Sequence, residues 1–315
     1  MTSPRLAIIV PCFNEQEVLP DTLRVLGDLR ARMIAMNLIS SESYLLFVDD
    51  CSSDATWEMV RRANSSDKSV RGISLMANAG QQPAMICGLE IASDDADCAV
   101  TIDADLQDDP EAIIEMVKKF VGGADIVYGV RARRDSDTWF KRTSAHLFYR
   151  IQRAMGVKVL YDHSEFRLMS RRAINMLKRY DERNMFLRGV VQSLGLPYDI
   201  VYFTRNPRLA GETKYNFSKL LALSIDGVTS FTSRPMRMIF ALGIIIVFLD
   251  IIVGIWALTS YLTHRTVTGW TSLILSVWLL GGLILMSLGV VGEYIGKIFL
   301  EVKHRPRFHV REYLK

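Results

Sequence analysis

Short apolar runs alternate with helix-like stretches along the first 130 residues. Leu6–Val10, Tyr44–Val48, Val70–Leu75, Cys98–Ile102 and Asp125–Val130 read as five strands. Between them the pattern predicts helices from about Glu17 to Met36, Asp54 to Arg62, Gln82 to Ala92 and Pro110 to Val121. Pro110 would take the first helical position, where a missing N–H does no harm. Strands alternating with helices argue for an α/β domain with a mostly parallel sheet and helices on both faces. In such sheets ligands sit beyond the carboxyl ends of the strands.

The pattern changes after residue 233. Met238–Leu262 is interrupted only by Asp250, and Ser272–Gly292 carries no charge. About 20 residues at 1.5 Å each cross a hydrocarbon core roughly 30 Å thick, so both segments qualify as membrane spans. Thr263–Thr271 would join them. A buried core hairpin is the alternative, but Met238–Gly292 holds 55 residues and two formal charges, Asp250 and Arg265. Asp250 has to face another helix or a polar cavity. A packing or assembly contact is the simpler reading of it than a role with an anionic lipid phosphate. Gly289, Gly292 and Gly296 make a small-residue face for close helix packing.

Basic residues orient this hairpin. Arg234 and Arg237 precede it, and Lys297, Lys303, Arg305, Arg307, Arg311 and Lys315 follow, against one arginine in the loop. The excess places both flanks, and with them residues 1–233, in the cytoplasm at the inner membrane. Leu6–Val10 is too short for a secretory signal. Ahead of the spans, Phe217, Leu220, Leu221, Ser224, Ile225, Val228 and Phe231 recur at helical spacing near Lys214 and Lys219. They form an amphipathic helix, lying in the membrane interface or packed on the soluble part. The chain thus divides into a cytoplasmic domain over 1–214, a juxtamembrane helix over 215–233, a transmembrane hairpin over 234–300 and a basic tail over 301–315.

Of the 315 residues, half are apolar and 23% charged, with a net charge of +4. That excludes a disordered chain. Cys12, Cys51, Cys87 and Cys98 contain no CxxC pair and read as reduced thiols. No basic stripe interleaved with aromatics argues for a nucleic-acid partner.

The chemistry lies at the predicted strand ends. Pro11-Cys12-Phe13-Asn14-Glu15 follows the first strand, Asp49-Asp50-Cys51-Ser52-Ser53-Asp54 the second and Asn78-Ala79-Gly80 the third. After the fourth comes Asp103-Ala104-Asp105-Leu106-Gln107-Asp108-Asp109, four acids in seven residues. They repel one another, and a divalent cation would relieve them. Oxygen ligands of this kind suit Mg²⁺ or Mn²⁺, which also take substrate phosphate oxygens. No P-loop, GxGxxG, GxSxG or zinc-like histidine spacing is present. A metal-assisted nucleotide-diphosphate site remains.

PCFNE, VDDCSSDAT, NAG, DADLQDDP and GVR, in this order, resemble the family 2 glycosyltransferases of the Rossmann-like GT-A fold. YDHSEFRLMSRRA, ERNMFLRG and RLAGETKY, with two C-terminal spans, are similar to the polyprenyl-phosphate members, the dolichyl-phosphate mannose synthases and bactoprenol glucosyl- or N-acetylglucosaminyltransferases. The resemblance implies that Pro11, Phe13 and Glu15 line the nucleotide pocket with Asp54, Asn78, Gly80 and Ala104, and that Asp50 contacts uracil. It implies that Asp103, Asp105 and Gln107 hold the metal and sugar diphosphate. Arg131, Arg142 and Ser144 match positions for the acceptor phosphate, joined by Arg167, Arg205, Arg208 and Lys214. Glu165-Phe166-Arg167 matches a GDFR-like segment, with Ser164-Glu165 where many members have Gly-Asp. Gln81 and Gln82 stand where members often carry Lys or Arg.

The activity so implied is metal-dependent, inverting transfer of one hexose from a UDP-sugar to polyprenyl phosphate, with Asp103, Asp105, Glu165 and Arg131 carrying catalysis. A phosphate monoester has a second pKa of about 6, so the acceptor is already an anionic nucleophile and needs no strong base. Positioning and charge neutralisation would supply most of the rate. UDP-sugar, lipid and membrane are the implied partners, and a homo-oligomer is the expected assembly. A processive polysaccharide synthase is the second reading, though QxxRW and additional spans are lacking. A non-catalytic membrane scaffold or flipping partner is the third.

Overall fold

The computed structural model describes residues 3–131, 163–182, 187–204 and 269–315, with scattered helical positions between 236 and 255. β1 (Leu6–Cys12), α1 (Leu19–Ala35), β2 (Tyr44–Asp49), α2 (Thr56–Ser66), β3 (Val70–Leu75), α3 (Gln81–Ala92), β4 (Cys98–Thr101), α4 (Ala112–Val121) and β5 (Ile126–Arg131) follow the hydrophobic pattern. Boundaries shift by a few residues, as where α2 begins at Thr56 and runs on to Ser66. Pro110 lies in a turn before α4, its carbonyl accepting the Ile113 N–H at 3.0 Å, and the helix begins at Ala112. Beyond β5 come β6 (His163–Ser170), α5 (Arg171–Leu177), α6 (Leu187–Ser193), β7 (Tyr198–Phe203), α7 (Trp270–Val302) and β8 (Val310–Leu314).

These strands make one sheet in the order β7-β5-β6-β4-β1-β2-β3-β8. β3, β2, β1 and β4 are mutually parallel, as the strand–helix alternation predicts. β1 and β2 are buried at every position, because helices cover both their faces. On one face Leu26, Leu29, Ile113 and Met116 of α1 and α4 join Ile8, Val10, Phe47 and Val100 in the core. On the other, α3 lies close enough that a Cβ on Gly88 would stand 2.5 Å from Ile9 Cγ2. Glycine is required there for approach, not for backbone freedom.

Two strands run against the rest. β6 is wedged between β4 and β5, antiparallel to both, with Arg167 opposite Thr101 and Tyr128. β8 is antiparallel to β3, with Val310 opposite Leu75 and Leu314 opposite Gly72. Their amino ends therefore lie on the rim where the parallel strands finish. Residues 301–315, expected as a basic tail, thus contribute a sheet strand. Tyr313 and Leu314 lie opposite Ile73 and Gly72 and pair with β3 through their backbone.

By contacts the chain divides into Met1–His146, Val159–Tyr215 and Arg305–Lys315 as one unit, and Leu147–Lys158 with Asn216–His304 as the other. The first holds the sheet. In the second, α7 continues past Gly292 through Glu293, Lys297 and Glu301 to Val302. Among the described residues one helix, Leu279–Val302, is long and apolar enough to cross a membrane. Its 24 residues span about 36 Å at 1.5 Å each. Asp250 and the amphipathic helix over 215–233 lie outside the described residues.

Candidate active site

The loops after β1 and β2 are laced together at the rim. Asn14, at φ +55°, donates its N–H to Ser52 Oγ at 2.9 Å, while its Oδ1 accepts the Ser53 N–H at 2.9 Å. Gln16 N–H donates to Asp54 Oδ2 at 3.2 Å, and Thr56 N–H to Asp54 Oδ1 at 3.0 Å. Burial works against the Asp54 anion, but these hydrogen bonds outweigh it and hold the carboxyl below its usual range. Glu15 N–H donates to Thr56 Oγ1 at 2.9 Å. Pro11 is buried at the end of β1, whereas Phe13 is 42% exposed.

Asp50 fixes the third loop. Its two carboxylate oxygens accept the N–H groups of Ala79 at 2.7 Å and Gly80 at 2.8 Å, and its carbonyl accepts Asn78 Nδ2 at 3.3 Å. Burial pushes the Asp50 carboxyl up despite these bonds. Gly80 needs its φ of +95° to turn the chain into α3. Asp50, expected at the uracil, thus also holds this loop.

At the end of β4 the acids converge. Leu106, at φ +49°, turns the chain between Asp105 and Gln107, and the Gln107 N–H reaches Asp105 Oδ1 at 3.2 Å. The turn is anchored from below by Thr22 Oγ1, which donates to the Ala104 carbonyl at 2.6 Å. Burial first, then Asp108, Asp105 and Glu165, push the Asp103 carboxyl up to about 6. A 2.7 Å hydrogen bond from Gln81 Nε2 opposes this only in part.

Three arginines face these acids. Arg131, at the end of β5, pairs with buried Asp108 at 3.3 Å and keeps 38% of its side chain exposed. β6 places Glu165 and Arg167 on one side of the strand, where they pair with each other. Phe166 points to the opposite face, packed edge-on against Phe203. Arg188 of α6 donates Nε to the other Glu165 oxygen at 2.8 Å and is 40% exposed. Arg167, expected at the acceptor phosphate, is 1% exposed and sits behind Glu165. Its Nε and Nη1, and Nε of Arg131, are buried without an acceptor.

The structure therefore gathers Asp103, Asp105, Gln107, Arg131, Glu165 and Arg167 around one rim, with Asn78 and Gly80 on the neighbouring loop. Arg142, Ser144, Arg205, Arg208 and Lys214 lie outside the described residues. Two participants were given no site role by the sequence, Gln81 and Arg188, and Asp108 stood there only as one of the four crowded acids. Arg188 stands in ERNMFLRG, one of the segments that carry the resemblance, and that was the available signal for it.

Among the described residues no three His, Cys, Asp or Glu side chains form a ready-made metal cage. The donor set still fits a hard divalent ion. Crowded carboxylates favour a cation, and Asp103, Asp105 and the Gln107 amide would leave other positions to phosphate oxygens and water, as Mg²⁺ prefers.

The family model for glycosyl transferase family 2 matches residues 7–177, from β1 to the end of α5. The chain belongs to glycosyl transferase family 2. This glycosyltransferase is 45% identical over 309 residues to the uncharacterized glycosyltransferase YkoT of Bacillus subtilis, covering 98% of this chain and 92% of the relative. It is 35% identical to the bactoprenol glucosyl transferase of Shigella phage SfV, covering 98% of each. Glucosyl-3-phosphoglycerate synthase of Mycobacterium tuberculosis is similar at 17% identity and a TM-score of 0.46, over 73% of this chain and 79% of that one.

Proposed function

We propose that this glycosyltransferase moves one hexose, glucose or N-acetylglucosamine, from a UDP-sugar to undecaprenyl or another polyprenyl phosphate. The reaction takes place at the cytoplasmic face of a membrane, and its product is a lipid-linked sugar donor for glycan modification. The observation that carries this reading is the meeting of the Asp103–Asp105–Asp108 acids with Arg131, Arg167 and Arg188 at one end of the sheet. Such an arrangement suits two phosphorylated reactants that repel each other. The name of the Shigella phage relative supports the lipid and the sugar.

Asp103, Asp105 and Gln107 would hold a Mg²⁺ or Mn²⁺ ion, which neutralises charge on a departing diphosphate. The partly exposed guanidinium of Arg131 would offer donors to the acceptor phosphate. Buried Arg167 and half-exposed Arg188 grip Glu165 from two sides and fix its carboxylate beside Asp103. Displacement forms the bond from a phosphate oxygen to the anomeric carbon and breaks the bond to UDP. An α-linked donor then gives a β-linked product. Alignment of nucleophile and leaving group supplies much of the acceleration. Two membrane helices, with both termini cytoplasmic and a homo-oligomeric assembly, complete the proposal.

Membranes containing the protein, incubated with a panel of radiolabelled UDP- and GDP-sugars, test it. Label from one UDP-hexose passes into the organic phase. Label only from a GDP-sugar, or only into water-soluble polymer, overturns the reading.

A further inference from the structure

β8 enters the sheet at the rim that carries the site. Its first residue, Val310, lies opposite Leu75, the last of β3. Just before it, the His309 carbonyl accepts the Met76 N–H at 2.8 Å. Arg311 then turns its guanidinium toward two loops. Nη2 donates to the Met76 carbonyl at 3.4 Å and lies 3.7 Å from Cys51 Sγ, which itself reaches the Met76 carbonyl at 3.7 Å. Cys51 is held at φ +59°, a conformation that needs support from its surroundings in a residue with a side chain. Its neighbour Asp50 holds Ala79 and Gly80.

The segment is secured away from these loops as well. Arg307, with 10% of its side chain exposed, donates to the Tyr180 carbonyl and lies 3.7 Å from Glu90 of α3. Arg61 of α2 pairs with Glu312 at 2.7 Å. A strand gripped this way presents Arg311 at a fixed place. Phe13, 42% exposed, and Met76, 58% exposed, stand on the adjoining loops as apolar surface of the kind a flat base covers.

We propose that Arg311 is a positioning residue for the nucleotide end of the donor. It ties the Asp50–Cys51 turn to the Met76–Gly80 loop, so the last strand of the chain completes the donor pocket. This rests on the reading of these loops as the nucleotide site in the proposed function.

The test uses the full chain in detergent, comparing Arg311→Ala, Arg311→Lys and Glu312→Ala. Glu312→Ala removes the exposed pair with Arg61 and leaves the Cys51–Met76 contacts in place. Isothermal titration with UDP, and separately with GDP, reads nucleotide binding, while steady-state transfer reads donor and acceptor KM. Arg311→Ala weakens binding of whichever nucleotide the wild type takes, and raises donor KM, by about 5- to 20-fold. It leaves kcat and acceptor KM within about twofold, the signature of lost uniform binding. Arg311→Lys restores part of the loss and Glu312→Ala causes none. Unchanged nucleotide binding in Arg311→Ala, or equal losses in Arg311→Ala and Glu312→Ala, overturns the proposal. Wild type that binds UDP but glycosylates no lipid overturns the acceptor reading and leaves this one standing. Wild type that binds neither nucleotide overturns both.

Discussion

Asp103 sits where burial and three neighbouring carboxylates act in the same direction. Its carboxyl titrates near 6, against about 3.9 for a free aspartate. Between pH 4 and 6 the folded chain therefore keeps a proton that the unfolded chain has released, and stability falls as pH rises through that window. Without divalent cations, the Tm of the wild type should fall relative to that of Asp103→Asn between about pH 4.5 and 6.5. Added Mn²⁺ at pH 7 should raise the wild-type Tm and leave that of the variant unmoved; equal effects on both would exclude these ligands. Asp105→Asn is expected to lower turnover by on the order of 100-fold or more while folding is retained, checked by initial rates beside a melting curve. The aspartates were legible in the sequence because four acids crowd one strand end. Arg188 was not, since it reaches Glu165 from a helix 23 residues further on, and only the fold joins them.

Among the elements, the alternation from β1 to β5 could be read because each strand is a local apolar run between helices. β6 escaped that reading. Its Glu165 and Arg167 are buried charges that neutralise each other, so the strand lacks the hydrophobic pattern of its neighbours. β8 escaped it too, since an exposed edge strand carries little apolar signal and its partner lies more than 230 residues earlier. α3 presses so closely on β1 and β2 that a methyl at Gly88 would overlap Ile9 Cγ2 and stand 3.1 Å from Val48 Cγ2. Gly88→Ala should cost about 1–3 kcal/mol through overpacking, read as a lowered Tm. A variant as stable as the wild type would show that the helix is not seated this tightly.

Across the whole sheet domain, Asp95 gathers four side chains at the rim opposite the site. Asp95 accepts Tyr44 Oη at 2.6 Å and Arg71 Nη1 at 2.8 Å, with Arg5 at 3.3 Å and Lys315 at 3.8 Å. Burial alone would raise its carboxyl, but these partners outweigh it and hold it below the usual range. The stabilisation is therefore present above about pH 4 and lost as acidity carries the folded chain through the lowered value. Asp95→Ala strands Arg71, whose side chain is 9% exposed, and should cost on the order of 3 kcal/mol. The surviving folded fraction should keep the wild-type kcat; a parallel loss of kcat would tie this rim to the chemistry.

Because β8 lies so far behind β3 in the sequence, biosynthesis leaves one flank of β3 bare until Val310–Leu314 has been made. From Leu75 to Val310 a ribosome adding about 5–20 residues each second needs roughly 12–47 s. For that interval the nascent polypeptide carries an open β edge, the feature that recruits foreign strands. Messages cut short before Val310 should therefore yield insoluble protein as well as inactive protein.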